Sequence, residues 1–371
     1  MTFTFLHTAD WQIGKAFGSM PKDVAAALTE ARLSAIDRLA SAADAAGARH
    51  VLVAGDVFDS EALAPKTVRQ ALARLSQHPT LIWHLLPGNH DAHRPGGLWE
   101  RMLSDDVPGN VRLQLTPAPV AIEPDVWLLP APLTGRAAST DPSASMDAAI
   151  TPAGAMRIGL AHGSVRGFGS DGEAAISIAK TRAESARLDY LALGDWHGAM
   201  RIDERTWYAG TPEPDRFLGN AAGHALIVRI EMAGKLPNVE TLSVAQFSWL
   251  RIVHEISDVS SLSSVDGLIA KAAVKPSDVL LQLDLTGRLS ASERQEIVRR
   301  LRSIEAGLRH LETDLTRLAV KATGTDLDVL GASGELRLVG ERLALMADDP
   351  AATEALSLLL DLAGETRGQR P

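Results

Sequence analysis

The sequence predicts an α/β fold whose main sheet is covered on both faces. Three observations carry this. Short, almost wholly apolar runs alternate with helical patterns through the first half; the runs show little polar alternation; and five of them are followed directly by a short polar motif rich in Gly, Asp, Asn or His. A strand with one wet face alternates apolar and polar residues, whereas a strand buried on both faces reads as a continuous apolar run.

The elements follow in order. Residues 2–8 (TFTFLHT) read as the first strand, and the Ala- and Leu-rich stretch 23–46 has a helical period that stops at Gly47. Residues 50–54 (HVLVA) form a second strand, 65–76 a helix and 81–86 (LIWHLL) a third strand. Further strands are expected at 111–115, 126–129, 157–161, 190–193 and 225–231. A turn-rich break is expected at 233–246, where Ala233-Gly-Lys-Leu-Pro-Asn238 interrupts the pattern. Strands then follow at 249–255 and 278–285, and Ser290-Ala-Ser-Glu293 reads as a capping box that opens a helix through Leu301. Helices are expected at 335–346 and 352–362. The predicted domains are a catalytic 1–245, a small α/β cap at 246–325 and a helical segment at 326–371.

Composition narrows the function classes. A chain of 371 residues with 46% apolar residues can form two or three packed domains. No run approaches the roughly 20 apolar residues of a membrane span. The first residues lack a basic region followed by a long apolar stretch, so no signal peptide is expected. The absence of cysteine excludes disulfides, thiolate zinc sites and cysteine nucleophiles, and fits the reducing cytoplasm. The net charge of −9 argues against a chain that coats nucleic acid by bulk attraction.

The polar motifs are Asp10-Trp11-Gln12, Gly55-Asp56, Gly88-Asn89-His90-Asp91, Ala161-His162-Gly163 and Gly194-Asp195-Trp196-His197. Strand ends of an α/β sheet converge on one edge, so side chains on the loops after them can meet. Carboxylate and amide oxygens with imidazole nitrogens suit divalent metals. Singly, each motif also reads as ordinary structure: Asp10 and Gly55-Asp56 as turn residues, His162 as a satisfied structural histidine. Three consecutive polar side chains at 89–91 are harder to explain that way, because burying them unpaired is costly.

In this order the motifs resemble those of the calcineurin-like metallophosphoesterases, and within them the SbcD-like DNA-repair exonucleases. The stretches Leu6-His-Thr-Ala-Asp-Trp11, Ala54-Gly-Asp-Val-Phe-Asp59, Leu86-Pro-Gly-Asn-His-Asp91 and Tyr208-Ala-Gly-Thr-Pro212 carry the resemblance, which covers about residues 1–230. It implies a two-sheet metallophosphoesterase sandwich flanked by helices, with the small C-terminal α/β cap and helical tail beyond it. One metal would be held by Asp10, Gln12, Asp56 and His197, and a second by Asp56, Asn89, His162 and Asp195, with Asp56 bridging. His90 would contact the scissile phosphate or the leaving group, with Asp91 orienting it. The implied chemistry is in-line attack at phosphorus, with two metals about 3.5–4 Å apart stabilising the charge that develops. A homodimer and an SMC-like coiled-coil ATPase partner acting with it on DNA are also implied. No Gly-x-x-x-x-Gly-Lys-Ser/Thr loop is present, so any ATP coupling comes from another chain.

Two positions depart from the family pattern. Gln12 stands where the first motif has a histidine, and Asp195 where the last has its first histidine. The donors are then richer in oxygen, which favours Mn2+, with Mg2+ as the alternative, over zinc. Near the motifs, Trp11, Trp99, Trp196, Lys15, Arg94, Arg166 and Arg216 are candidate substrate contacts, since aromatic faces beside cations suit single-stranded nucleic acid. Ordinary packing and solvated surface explain the same residues equally well. The arginines at 294, 299, 300 and 302 are interleaved with glutamates and read as a solvated face. Two other functions stay open: a phosphodiesterase or phosphatase for small substrates such as cyclic nucleotides, and a non-catalytic scaffold with a degraded site.

Overall fold

Successive residues of β1 (Phe3–Thr8) face two different cores, which is why the strand is apolar nearly throughout. Leu6 packs toward helices and Phe5 toward a second sheet. In β2 (His50–Val53) the same alternation sends Val51 and Val53 to the helices and Leu52 to the second sheet. Side chains of a strand alternate between its faces, so burial on both removes the polar half of the pattern. The structure is a computed structural model describing residues 2–104, 106–166, 175–272, 275–320 and 334–359, the last span without 347, 348, 350, 353 and 357.

After β1 come α1 (Lys22–Ala45), β2, α2 (Pro65–Ser76), β3 (Ile82–Leu85), α3 (Leu98–Ser104) and β4 (Val111–Leu113). The chain continues through β5 (Val120–Glu123), β6 (Val126–Ala131), β7 (Met156–His162), β8 (Ser164–Val165), β9 (Ser177–Ile178), α4 (Arg182–Ser185) and β10 (Tyr190–Gly194). Four strands follow, β11 (Met200–Arg201), β12 (Thr206–Tyr208), β13 (His224–Ile230) and β14 (Asn238–Ser243). One six-stranded sheet has the order β14-β13-β1-β2-β3-β4, with β1 to β4 parallel. The other has the order β11-β12-β10-β7-β6-β5, with its four central strands parallel. Phe5, Leu52 and Leu86 meet Leu128, Ile158, Leu160 and Ala192 between the sheets. Ile36, Leu39, Leu72 and Trp99 cover the outer face of the first sheet, and Ala183, Ala186 and Leu188 that of the second. The fold is the two-sheet α/β sandwich with flanking helices that the sequence predicts.

The chain forms two compact units, Met1–Asp215 with Asn220–Phe247, and Arg216–Gly219 with Ser248–Pro371. The second unit holds a parallel sheet of β15 (Ser248–Ile256), β16 (Val279–Leu289) and β17 (His310–Val320), joined through α5 (Ser263–Ala272) and α6 (Ala291–Glu305). The Ser290–Glu293 capping box opens α6 as expected. Helix α7 (Glu335–Ala344) lies within the predicted 335–346, whereas the helix predicted at 352–362 falls partly outside the described residues.

One expectation needs correction. The turn-rich break at 233–246 contains β14, an edge strand with one pairing partner and a mostly exposed, polar sequence, so it reads as a turn. Strand β17 has no strand-like sequence signal. Its Leu311, Leu315 and Leu318 sit at helical spacing, because a bulge between Asp284 and Thr286 pairings shifts the alternation of the facing strand. No helix among the described residues is long and apolar enough to cross a membrane.

Candidate metal centre

The loops after β1, β2, β3, β7 and β10 meet at one edge of the sandwich. They are stitched by backbone hydrogen bonds: Asp10 N–H donates to Gly55 C=O (3.1 Å), Gln12 N–H to Asp56 C=O (2.9 Å) and Gly163 N–H to Gly194 C=O (3.1 Å). Asp10, Gln12, Asp56 and Asp195 all have positive φ, at 54°, 44°, 53° and 103°. Non-glycine residues enter that region at a cost, and such strain gathers at functional sites. Gly88 lets two of these loops touch, since a Cβ there would run into the Asp56 carboxylate and its backbone nitrogen.

Asp10, Asp56 and His162 are buried, and each offers a ligand atom within 4.8 Å of the others. The Nδ1–H of His162 donates to Ala54 C=O (2.8 Å), which leaves Nε2 to face Asp56 Oδ1 at 3.5 Å. Asn89 satisfies its surroundings with its amide nitrogen 2.8 Å from that Nε2 and 3.2 Å from each Asp56 oxygen. A half-turn of the amide puts its carbonyl oxygen in the same place, 2.8 Å from Nε2. The Asp195 N–H donates to both oxygens of Asp10 (3.1 and 3.2 Å), while its own carboxylate accepts from Ser164 Oγ. Burial pushes Asp10 up to about 6, against the pull of His162 and His197. Burial alone would lower His162, but Asp56, Asp10, Asp195 and the Ala54 carbonyl outweigh it and raise it to about 9. Carboxylates that raise a buried imidazole so far have charge to share with a cation, so this donor set fits a divalent ion.

Gln12 and His197 are engaged differently. Gln12 Nε2 lies 3.4 Å from His197 Nε2, and its oxygen accepts from Lys15 Nζ at 3.1 Å. His197 Nδ1 faces Asp215 Oδ1 at 3.4 Å, and Lys15 Nζ lies 2.9 Å from Asp215 Oδ2.

His90 stands at the exposed side of the cluster. Its Nδ1–H donates to Asp59 C=O (3.0 Å), and its Nε2 is 3.9 Å from Asp56 Oδ2. Its backbone N–H donates to Asp56 Oδ1 at 2.9 Å. The expectation that Asp91 orients His90 is corrected. Asp91 is fully buried and accepts instead from the backbone N–H groups of Gly88 (2.6 Å) and Phe58 (3.0 Å), tying the third loop to the second. Burial raises its carboxyl above the usual range.

The candidate substrate contacts divide. Trp11 and Trp99 are core residues: Trp11 packs edge-on to Trp83 and donates to Thr8, and Trp99 donates to the Asp91 carbonyl. Neither can stack on a substrate, so Trp11 is withdrawn from that set. Trp196 is exposed between Asp195 and His197. Lys15 and Arg94 both face carboxylates, Arg94 that of Glu61 at 3.4 Å. Arg166 donates to Ser177 Oγ, and Arg216 is exposed in the second unit.

Asp215 and Arg32 were not legible as site residues. Arg32 is buried on the apolar face of α1, with Leu28, Ala35 and Ile36, and donates to the carbonyls of Trp11 (2.7 Å) and Glu213 (3.1 Å). Its guanidinium is 3.9 Å from Asp215 Oδ2. An arginine on an otherwise apolar helical stripe is the one signal that marks it, because a buried cation needs fixed partners.

An α/β sandwich with buried carboxylates and a histidine at its strand ends, and an exposed histidine beside them, presents a donor set suited to a divalent metal. Residues 3–164 match the family model described as calcineurin-like phosphoesterase. That span holds Asp10, Gln12, Asp56, Asn89, His90, Asp91 and His162, while Asp195 and His197 lie beyond it. The crystal structure of TT1561 of Thermus thermophilus is similar at 13% identity and a TM-score of 0.42, over 66% of this chain and 100% of that one. No curated protein matches the chain.

Proposed function

We propose that this chain is a metal-dependent phosphodiesterase that cleaves DNA, using Mn2+, or Mg2+ in its place, at the centre built on Asp10, Asp56 and His162. The observation that carries the reading is the placement of His90: Nδ1 is tied to the Asp59 carbonyl, and Nε2 is turned out beside Asp56 at 3.9 Å. A divalent ion bound there supplies Lewis-acid polarisation of a phosphoryl oxygen and lowers the pKa of an attacking water. Asp10, Asp56 and His162, with Asn89 and Asp195 beside them, would hold the ion. The Ala54 carbonyl fixes the His162 ring so that Nε2 faces Asp56. His90 carries a proton on Nε2 to a phosphoryl oxygen or to the departing oxygen.

DNA as substrate is supported by the resemblance of the motif stretches to SbcD-like exonucleases and by a second α/β unit that a minimal small-molecule enzyme does not need. A homodimer and an SMC-like ATPase partner belong to the same reading. One observation favours the alternative, a phosphodiesterase for small substrates. Lys15 and Arg94 both face carboxylates, so neither is a spare cation for a phosphate backbone.

The test offers metal-stripped protein, reloaded with Mn2+, single-stranded DNA, duplex ends and bis-p-nitrophenyl phosphate. DNA cleavage that disappears in Asp56→Ala supports the nuclease. Turnover of the small diester with DNA intact supports the alternative. No turnover with any metal contradicts both and leaves a scaffold.

A further inference from the structure

We propose that the centre is mononuclear, with Lys15 occupying by charge and hydrogen bonding the role that a second metal would have. This rests on the metal-dependent reading given above. Lys15, Gln12, His197 and Asp215 form a closed ring. Lys15 Nζ donates to Gln12 Oε1 (3.1 Å) and to Asp215 Oδ2 (2.9 Å), Gln12 Nε2 to His197 Nε2 (3.4 Å), and His197 Nδ1 to Asp215 Oδ1 (3.4 Å).

Only one assignment of donors satisfies this ring. An ammonium can only donate and a carboxylate only accept, so His197 must carry its proton on Nδ1, and Gln12 must turn its NH2 to the bare Nε2 and its oxygen to Lys15. The two donor atoms that positions 12 and 197 would offer a metal are thus both in use. Gln12 has a single coordinating oxygen, a weaker donor than imidazole, and it is the atom that Lys15 holds.

The ring is also anchored from behind. Arg32, fixed by the Trp11 and Glu213 carbonyls, stands 3.9 Å from Asp215 Oδ2. Gln12 and the Asp215 side chain are 1% and 2% exposed, so neither swings freely to solvent. A dication entering between Gln12 and His197 would have to strip both from their partners beside an ammonium that repels it. The Asp10–Asp56–His162 set takes no part in the ring and brings two carboxylates and an imidazole within 4.8 Å of one another, with no ammonium among them. Lys15 also reaches toward Asp59 (3.9 Å), whose carbonyl holds His90. Its positive charge therefore lies on the His90 side of the centre.

The experiment counts metal. Metal-stripped full-length protein is equilibrated with Mn2+, desalted, and analysed by elemental mass spectrometry and electron paramagnetic resonance. The expected result is one Mn2+ per chain and the six-line spectrum of an isolated ion. The double variant Gln12→His with Lys15→Met, checked for folding by circular dichroism, is expected to bind two and to show an exchange-coupled spectrum. Two coupled ions in the wild type overturn the proposal but leave the metal-dependent reading intact. No bound Mn2+ overturns both. A folded double variant that still binds one overturns the role given to Lys15, and if that variant does not fold, the wild-type count decides alone.

Discussion

His162 Nδ1 lies 2.8 Å from the carbonyl oxygen of Ala54, a residue 108 positions earlier and on the other sheet. This bond clamps the two sheets at the edge where the site lies and fixes which ring nitrogen faces Asp56. A ligating histidine oriented through its second nitrogen is more basic and better aimed. Loss of an outer partner alone costs about 10–100-fold in metal affinity, so His162→Ala is expected to weaken Mn2+ binding by more than about 100-fold. Calorimetric titration of Mn2+ into metal-stripped protein checks this, and an affinity within tenfold of wild type contradicts it.

Asp91 acts as a tie between loops. Its two oxygens accept from Gly88 and Phe58 N–H, and an asparagine would turn an NH2 toward one of those donors. A buried donor left unsatisfied costs about 1–3 kcal/mol, so Asp91→Asn is expected to lower Tm by several degrees. Because His90 is held by the Asp59 carbonyl, the folded variant should keep its turnover within a few-fold. Thermal melts paired with activity per folded molecule separate the two effects. A deep loss of turnover with an unchanged Tm would mean that Asp91 acts on the reaction itself.

Acid should destabilise the fold through two histidines outside the metal loops. Burial lowers His7 to about 3, against the Leu193 carbonyl bond, and lowers His84 to about 3 with help from His50 and Arg112. Between that value and the ordinary 6.5, the unfolded chain binds protons that the folded chain does not. Stability is then fully present above about 6.5 and falls as pH drops toward 3, by up to about 1.4 kcal/mol per pH unit for each group. Urea titrations from pH 7 to 4.5 measure the slope. His7→Gln is expected to flatten it, and an unchanged slope in that variant would clear His7 of the effect.

Metal preference follows from the donors. In the proposed centre Asp10, Asp56 and Asp195 would contribute carboxylates, with the Asn89 amide oxygen beside them and His162 as the imidazole. Hard oxygen donors favour Mn2+ or Mg2+ over Zn2+. Reloading metal-stripped protein with each ion should give the highest diesterase rate with Mn2+; an equal or faster rate with Zn2+ rules the preference out.

The parts of this account legible in the sequence were those written locally. The central strands are continuous apolar runs because both faces are buried, and the motifs stand at their ends. Edge strands such as β14 were not legible, because one neighbour and a wet face leave a polar pattern like that of a turn. At the site, Asp10, Asp56 and His162 could be named from motif order, and the structure brings them together. Asp215 and Arg32 could not, since they join the site only through folding: Arg32 from the buried stripe of α1, and Asp215 from a loop 18 residues after His197. The error over Asp91 has the same origin. Adjacency in sequence to His90 says nothing about where its carboxylate points, and it points to Phe58, 33 residues away.

The most direct test of the central claim is the hydrolysis rate of bis-p-nitrophenyl phosphate by metal-stripped protein before and after Mn2+ is restored, in wild type and Asp56→Asn. Turnover is expected to be negligible without metal, to recover with Mn2+ in the wild type, and to be at least about 100-fold slower in the folded Asp56→Asn, in keeping with the loss of a metal-held electrostatic contribution. Turnover that survives metal removal, or that Asp56→Asn leaves unchanged, would contradict the claim.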